Sequence, residues 1–98
     1  VGDAAYGMLS FYERHDLEKY GNSGGPLHDP TVIAYLLRPD LFEGKKANVD
    51  IEIQSELTMG MTVVDWWGVT DRTANVNVLR NIDADGFFQL ILDRLGRL

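Results

Sequence analysis

A histidine and an aspartate stand side by side at His28 and Asp29, between a glycine-rich stretch and an apolar run. An imidazole titrates near neutral pH and can transfer protons, and a carboxylate is a ligand that hard cations prefer. Pro30 follows them, and proline is favoured at the first position of an α-helix. We therefore expect the imidazole and the carboxylate to lie at the mouth of a helix, where both can face a cleft.

The same residues also have a purely structural interpretation. Aspartate before proline is a common helix N-cap, whose carboxylate accepts hydrogen bonds from the first free N–H groups. His28 could equally be a surface residue or one bonded to a backbone carbonyl, and His15 is interpreted as a surface residue of a preceding helix. On residue types alone, capping is the favoured role for Asp29.

Other residues that could carry chemistry have simple alternatives. Glu52, Glu56 and Asp65 could supply a carboxylate pair for glycoside chemistry. A solvent-facing strand position explains Glu52 better, however, and Asp65 is assigned a structural role. Trp66 and Trp67 could stack on a sugar or base, but adjacent strand residues point to opposite faces, so at most one belongs to a core.

Two helices are predicted to flank the His-Asp pair. Apolar residues, Met8, Leu9 and Tyr12 among them, recur at helical spacing from about Asp3 to Lys19. Gly21 is a typical C-terminal stop. A loop over residues 21–27 follows. The second helix begins at Asp29 and ends before Pro39, which cannot continue it.

Period-two alternation then predicts three strands, over Ala47–Gln54, Met61–Trp67 and Thr73–Leu79. Asp83 is predicted to cap a final helix with a wide apolar face. The residues of that face are Phe87, Phe88, Ile91, Leu92 and Leu95. The order ααβββα, taken alone, is an α+β fold with a three-stranded sheet, antiparallel because its connections are short. The apolar faces of the helices exceed what three short strands can cover.

The composition narrows the possible functions. The 98 residues suffice for one small domain, and with 45% apolar residues the chain is not disordered by composition. A net charge of -6 argues against nucleic-acid binding, which requires a basic patch. No cysteine is present for disulfides or thiolate metal sites, and no apolar run approaches the roughly 20 residues of a membrane span.

From about Phe11 to Leu95, the sequence resembles the C-terminal part of the inosine–uridine nucleoside hydrolases. The resemblance rests on the tripeptide His28-Asp29-Pro30 and on the run Gly-Met-Thr-Val-Val-Asp over residues 60–65. Family members are much longer, and their N-terminal Asp-x-Asp-x-x-x-Asp-Asp motif does not occur in these residues. The resemblance implies that residues 1–98 are a C-terminal segment of a nucleoside hydrolase domain, whose α/β fold is built on a large, mostly parallel sheet.

The resemblance also implies roles for individual residues. Asp29 would be one ligand of an active-site Ca²⁺, which requires six to eight oxygens, the others lying outside this chain. His28 would lie beside the nucleobase and activate it as a leaving group. Tyr20 would stack on the base, and Asp16, one turn earlier on the first helix, would face the pocket and bind substrate.

The implied activity is hydrolysis of the N-glycosidic bond of a ribonucleoside to free base and ribose, a purine or pyrimidine salvage reaction. The metal would bind the ribose hydroxyls and a water, and a carboxylate outside these residues would deprotonate that water. The 98-residue chain alone is therefore expected to be inactive. By analogy with the family we expect a homo-oligomer that binds a small ribonucleoside. No signal peptide is visible, so the cytoplasm is the default expectation for its compartment. From the net charge and the apolar pattern we expect it to interact with neither nucleic acid nor a membrane.

The competing interpretation is a standalone, non-enzymatic module that acts as an acidic interaction surface or subunit. The chain begins at Val1 rather than methionine, so we expect truncation or processing. An aspartate-rich motif encoded upstream of Val1 would indicate an enzyme fragment, whereas a start codon there would indicate the module. The residues do not decide between purine and pyrimidine substrates.

Overall fold

Helices and strands follow one another in the predicted order ααβββα in a computed structural model that describes residues 1–21 and 24–98. The helices are α1 Gly2–Tyr20, α2 Pro30–Leu37 and α3 Ala84–Leu95; the strands are β1 Phe42–Ile51, β2 Thr62–Asp65 and β3 Val76–Ile82. A 3-10 turn, Pro39–Leu41, follows α2. The chain forms two compact units, a helical unit of residues 1–41 and 82–98 and a sheet unit of residues 42–81.

The ends of α1 and α2 lie where the sequence predicts them. Gly21 adopts a left-handed conformation, φ 70°, and its N–H donates to the Leu17 carbonyl at 3.0 Å, which closes α1. At the end of α2, Arg38 leaves helical geometry with φ -143° and ψ 71°, because Pro39 follows it. No helix in residues 1–21 and 24–98 is both long and apolar enough to span a bilayer.

The start of α2 corrects one prediction, since Asp29 makes no side-chain capping hydrogen bond. Its backbone is already helical, with φ -60° and ψ -42°, whereas a capping residue needs an extended backbone to aim its side chain at the free N–H groups. The carbonyl of His28 accepts the hydrogen bonds of the Thr31 N–H, at 3.1 Å, and of the Thr31 hydroxyl. The carboxylate of Asp29 is thereby left available for another partner.

The predicted cap of α3 is confirmed. Asp83 has the extended backbone of an N-cap, φ -71° and ψ 97°, and its carboxylate accepts from the Gly86 N–H at 3.1 Å. The Asp83 N–H donates to the Leu41 carbonyl at 2.8 Å, which joins the 3-10 turn to the start of α3. Buried side chains of the helical unit come from α2, the turn and α3: Ala34, Leu41 and Phe87.

Much of the apolar surface of the helices stays exposed, as the sequence predicts. On α3 only Phe87 is buried, and the Phe88 and Leu92 side chains are 49% and 69% exposed. The rings of Phe87 and Phe88 meet edge to face, with centroids 5.3 Å apart. No residue of α1 is buried. The helical unit therefore presents apolar faces that it does not cover itself.

The sheet has the strand order β2-β1-β3, and its antiparallel arrangement confirms the predicted fold class. In β1 and β2, Asn48 pairs with Asp65 and Ile51 with Thr62. β1 runs close to β3 at Gly44, where an added Cβ would lie 2.2 Å from the Val78 carbonyl oxygen. Only glycine permits this approach.

The predicted bounds of β1 and β3 are wrong at both ends, since β1 ends at Ile51 rather than Gln54 and β3 ends at Ile82 rather than Leu79. β1 begins at Phe42 rather than Ala47. It is the central strand and its backbone pairs on both edges, so polar residues that break the alternation of apolar and polar positions can still be part of it. β3 begins only at Val76, because the Asn75 side chain takes the place of a backbone partner for Val49 of β1. Its amide oxygen accepts from the Val49 N–H and its amide nitrogen donates to the Val49 carbonyl, both at 2.9 Å.

Asp65, at the end of β2, organises the turn that follows it, which agrees with its predicted structural role. Its carboxylate accepts from the N–H groups of Val69 and Thr70, both at 2.9 Å, and from the Thr70 hydroxyl. These hydrogen bonds lower the pKa of Asp65 because they favour its charged form, and the bond from the Thr70 hydroxyl has the largest effect. Gly68, with φ 66°, allows the chain to reverse within this turn.

We predict that Asp83→Ala lowers the free energy of unfolding by about 1 kcal/mol, because α3 loses its N-cap. Asp29→Ala is the matched control, since the Asp29 carboxylate caps nothing and its removal should change stability by less than about 0.5 kcal/mol. Chemical denaturation of both variants measures the difference. Equal destabilisation by the two substitutions would contradict the assignment of the caps.

We also predict that Asp65→Asn speeds amide hydrogen exchange at Val69 and Thr70. The folded-state pKa of Asp65 is lowered, so its stabilising effect is present above the unfolded value near 3.8 and is lost as the pH falls through the lower folded value. Protection in the wild type should therefore approach that of the variant only at pH below 3.8. A variant with unchanged exchange at neutral pH would show that Asp65 does not hold the turn.

Candidate functional site

One face of α1 carries the side chains that define the site. Tyr12, Asp16 and Tyr20 follow one another at intervals of four residues, which places them on the same side of a helix. All three line an open depression of about 1080 Å³ in the helical unit, together with His15 and His28. The volume is at the upper end of the range for small-molecule sites.

The glycine-rich loop forms another part of this depression, through Gly21, Gly24, Gly25 and Pro26. The Gly24 N–H donates to the Glu13 carboxylate at 3.2 Å. Gly25 lies against α1 so closely that an added Cβ would be 2.8 Å from the ring of Tyr12. The loop is therefore in direct contact with the face of α1 that carries Tyr12, Asp16 and Tyr20, here called the α1 stripe.

Asp29 lies in an adjoining, smaller depression of about 270 Å³, lined also by Met8, Leu9 and Pro30. His28 borders both depressions. Its imidazole is exposed, as is the carboxylate of Asp29. His28 and Asp29 thus connect the larger depression beside α1 with the smaller one at the start of α2.

The structure thus brings three of the four residues singled out in the sequence, Asp16, Tyr20 and His28, to one depression, with Asp29 next to it. Sequence reasoning missed Tyr12, which was grouped with the apolar face of α1. Its position four residues before Asp16 is the signal that could have found it. His15 is exposed, in agreement with its predicted surface position, and also lines the depression.

The donor set for a metal is incomplete in the part of the chain that the structure describes. Residues 1–21 and 24–98 contain no group of three or more His, Cys, Asp or Glu side chains that could hold a metal ion. A carboxylate supplies at most two oxygens, and Ca²⁺ needs six to eight. The chemistry of Asp29, an exposed carboxylate without a capping bond, fits one ligand of such a site and no more.

The alternative carboxylate pair is not suited to acid catalysis. Hydrogen bonds from the Gln54 and Ser55 N–H groups lower the pKa of Glu52, and those from Thr70 and Val69 lower that of Asp65. A general acid for glycoside hydrolysis needs a raised pKa, so that it holds its proton near neutral pH. Both carboxylates instead stabilise the turns that follow β1 and β2.

Ribonucleoside hydrolases are among the proteins similar to this chain. An uncharacterised protein of Schizosaccharomyces pombe is 52% identical over 98 residues, which are all of this chain and 32% of that protein. The pyrimidine-specific ribonucleoside hydrolase RihA of Shewanella baltica is 53% identical over 89 residues, 90% of this chain and 28% of RihA. A solved structure, the purine-preferring ribonucleoside hydrolase from Gardnerella vaginalis, matches with a TM-score of 0.73 and 25% identity, over 89% of this chain and 28% of that one.

The chain spans only about a third of the length of these relatives. Over that length it shares their sequence and their fold, which confirms the resemblance read from the His-Asp-Pro tripeptide and the Gly-Met-Thr-Val-Val-Asp run. The family model described as inosine-uridine preferring nucleoside hydrolase matches residues 1–89. This chain therefore belongs to the inosine-uridine preferring nucleoside hydrolase family.

Proposed function

We propose that this chain is the C-terminal segment of a ribonucleoside hydrolase and carries the base-facing side of its active site. The observation that carries the proposal is the shared depression of His28 and the α1 stripe, which joins a proton-transfer group to two aromatic rings, Tyr12 and Tyr20. Aromatic faces stack on nucleobases. The family membership supplies the reaction, cleavage of the N-glycosidic bond to free base and ribose.

His28 would act on the departing base. A purine or pyrimidine leaves poorly as an anion, and a proton delivered to its ring lowers that barrier. An exposed imidazole at the border of both depressions can reach a base held against α1 while the ribose lies toward Asp29. Asp16, on the same helix face, offers a carboxylate that can accept hydrogen bonds from the substrate.

Asp29 would contribute one oxygen ligand to Ca²⁺, the metal that the family resemblance implies. When bound, such an ion lowers the pKa of a coordinated water and so supplies a nucleophile at neutral pH. The role of Asp29 itself is to hold a negative charge at the start of α2, next to His28. Pro30 begins the helix directly after Asp29, and the Asp29 carboxylate has no capping bond to break before it binds a cation.

For the substrate we propose a pyrimidine ribonucleoside. Relatives named pyrimidine-specific ribonucleoside hydrolase RihA, from Shewanella and Escherichia coli, are 46 to 53% identical to this chain. The purine-preferring enzyme from Gardnerella vaginalis is 25% identical. Rates of uridine and inosine hydrolysis by the full-length protein that carries this chain test this preference, and a faster reaction with inosine would contradict it.

We predict that His28→Ala lowers kcat for uridine hydrolysis by about 10²-fold or more, because a positioned general acid acts only in the transition state. A nitrophenyl riboside has a leaving group that needs no proton, so its hydrolysis should hardly change. His15→Ala is the matched control, since it removes an imidazole from the same depression and should leave both rates nearly intact. An equal loss with both substrates would show that His28 positions the ribose or the metal instead.

We further predict that Asp29→Asn weakens Ca²⁺ binding by the full-length protein by about tenfold or more. Loss of groups that only support a ligand already costs about 10- to 100-fold, so loss of a ligand should cost at least as much. Calorimetry measures the affinity, with Asp16→Asn as the control carboxylate in the larger depression. Unchanged affinity in Asp29→Asn, or tight Ca²⁺ binding by the isolated 98-residue chain, would contradict the partial-site assignment.

A further inference from the structure

A second group of chemistry-bearing residues lies in the sheet unit and takes no part in the proposed hydrolysis. Trp66 and Trp67 follow β2, Lys45 lies on β1 and Arg80 on β3. The Lys45 ammonium is 4.6 Å from the ring centroid of Trp66 and 5.6 Å from that of Trp67, and the Arg80 guanidinium is 5.1 Å from Trp66. These four residues are here called the cation–tryptophan cluster.

The described residues offer no ionic partner to the two cations of the cluster. Neither Lys45 nor Arg80 has a carboxylate within 4 Å among the residues that the structure describes. This is unexpected on a chain with 15 acidic and 9 basic residues, where every cation could find a carboxylate. The tryptophan rings hold both cations in place by cation–π attraction, which leaves their N–H donors free.

The cluster also borders an open depression. Its volume is about 450 Å³, and Glu43, Lys45, Trp66, Arg80 and Asn81 line it. That volume lies within the range of small-molecule sites. Beside Lys45, Trp67 is 80% exposed, so a large aromatic face is offered to solvent next to one of the two positive charges.

We propose that the cation–tryptophan cluster binds an aromatic phosphate monoester, of the chemistry found in a nucleoside monophosphate. The phosphate accepts hydrogen bonds from Lys45 and Arg80, and the aromatic ring stacks on the exposed face of Trp67. Asn81 can bond to the edge of the ring or to a hydroxyl. The Glu43 carboxylate in the same depression opposes further negative charge, which favours one phosphate over a chain of them.

A polyanion is a poorer fit for the same residues. Nucleic-acid binding needs many cations along a track, and two cations on a chain of net charge -6 do not provide one. A single phosphate next to a single ring matches both the number of cations and the one exposed indole. The proposal stands on the sheet unit alone and is independent of the roles assigned to His28 and Asp29.

Calorimetric titration of the full-length protein tests the proposal with phenyl phosphate, which has the ring and the phosphate but no ribose, and with uridine monophosphate. We expect dissociation constants of about 0.1–1 mM, as befits a small and open site. The double variant Lys45→Met/Arg80→Met keeps the aliphatic stems but removes both charges, and should weaken phenyl phosphate binding about tenfold or more. Trp67→Ala should weaken phenyl phosphate binding similarly, whereas Trp67→Phe, which keeps an aromatic ring, should largely preserve it.

Two controls separate this site from its neighbours. Lys46→Met removes a charge from the adjacent position of β1, which does not line the depression, and should leave the affinity unchanged. His28→Ala should likewise have no effect, which distinguishes failure of this proposal from failure of the proposed hydrolase site. Absence of phenyl phosphate binding would overturn the proposal. So would inorganic phosphate that binds as well as phenyl phosphate, with no effect of Trp67→Ala on either.

Discussion

Burial of Leu41 is the constraint on which the placement of the site depends. Its carbonyl accepts the Asp83 N–H at 2.8 Å, and its side chain lies so close to α3 that a Cβ on Gly86 would be 2.6 Å from it. Removing this side chain from water contributes about 1.5–3 kcal/mol, a large share of the stability of a small domain. With Ala34 and Phe87 it fixes α2 and α3 in the helical unit, and the fixed α2 carries His28 and Asp29 at its other end.

The second requirement is the close contact between the glycine loop and α1. A Cβ on Gly25 would lie 2.8 Å from the ring of Tyr12 and force that ring to move, and the Gly24 N–H donates to the Glu13 carboxylate. The loop must therefore leave α1 at the left-handed Gly21 and return along the same helix face. This path brings His28, eight residues beyond the end of α1, back to the stripe that carries Asp16 and Tyr20. Small residues thus determine which functional groups can meet.

The sequence predicts best those features that depend on local chemistry. The helix ends lie as expected at Gly21, which has a positive φ, and at Pro39, which lacks an N–H. The start of α3 lies as expected at Asp83, an extended capping residue. Each of these effects acts within one turn of the helix. The predicted start of β1 lies too late in the sequence. β1 pairs on both edges with other strands, and the polar residues 43–46 give no sign of that tertiary pairing. The depression was only partly predictable, because the apolar pattern of α1 grouped Tyr12 with the apolar residues of the helix, and no residue of α1 is buried.

The two aspartates at helix starts show how the backbone separates a capping residue from the residue proposed as a metal ligand. Asp83 has an extended backbone and bonds to the Gly86 N–H, whereas Asp29 is already helical and its carboxylate makes no such bond. An N-cap is worth about 1 kcal/mol, so α2 forgoes stability that the same side chain could supply. The Thr31 hydroxyl and N–H instead satisfy the His28 carbonyl, which keeps the His-Asp pair in a fixed backbone while both side chains stay free. A charged side chain that makes no capping bond to its own helix, held beside an imidazole, is the arrangement expected where stability is traded for binding.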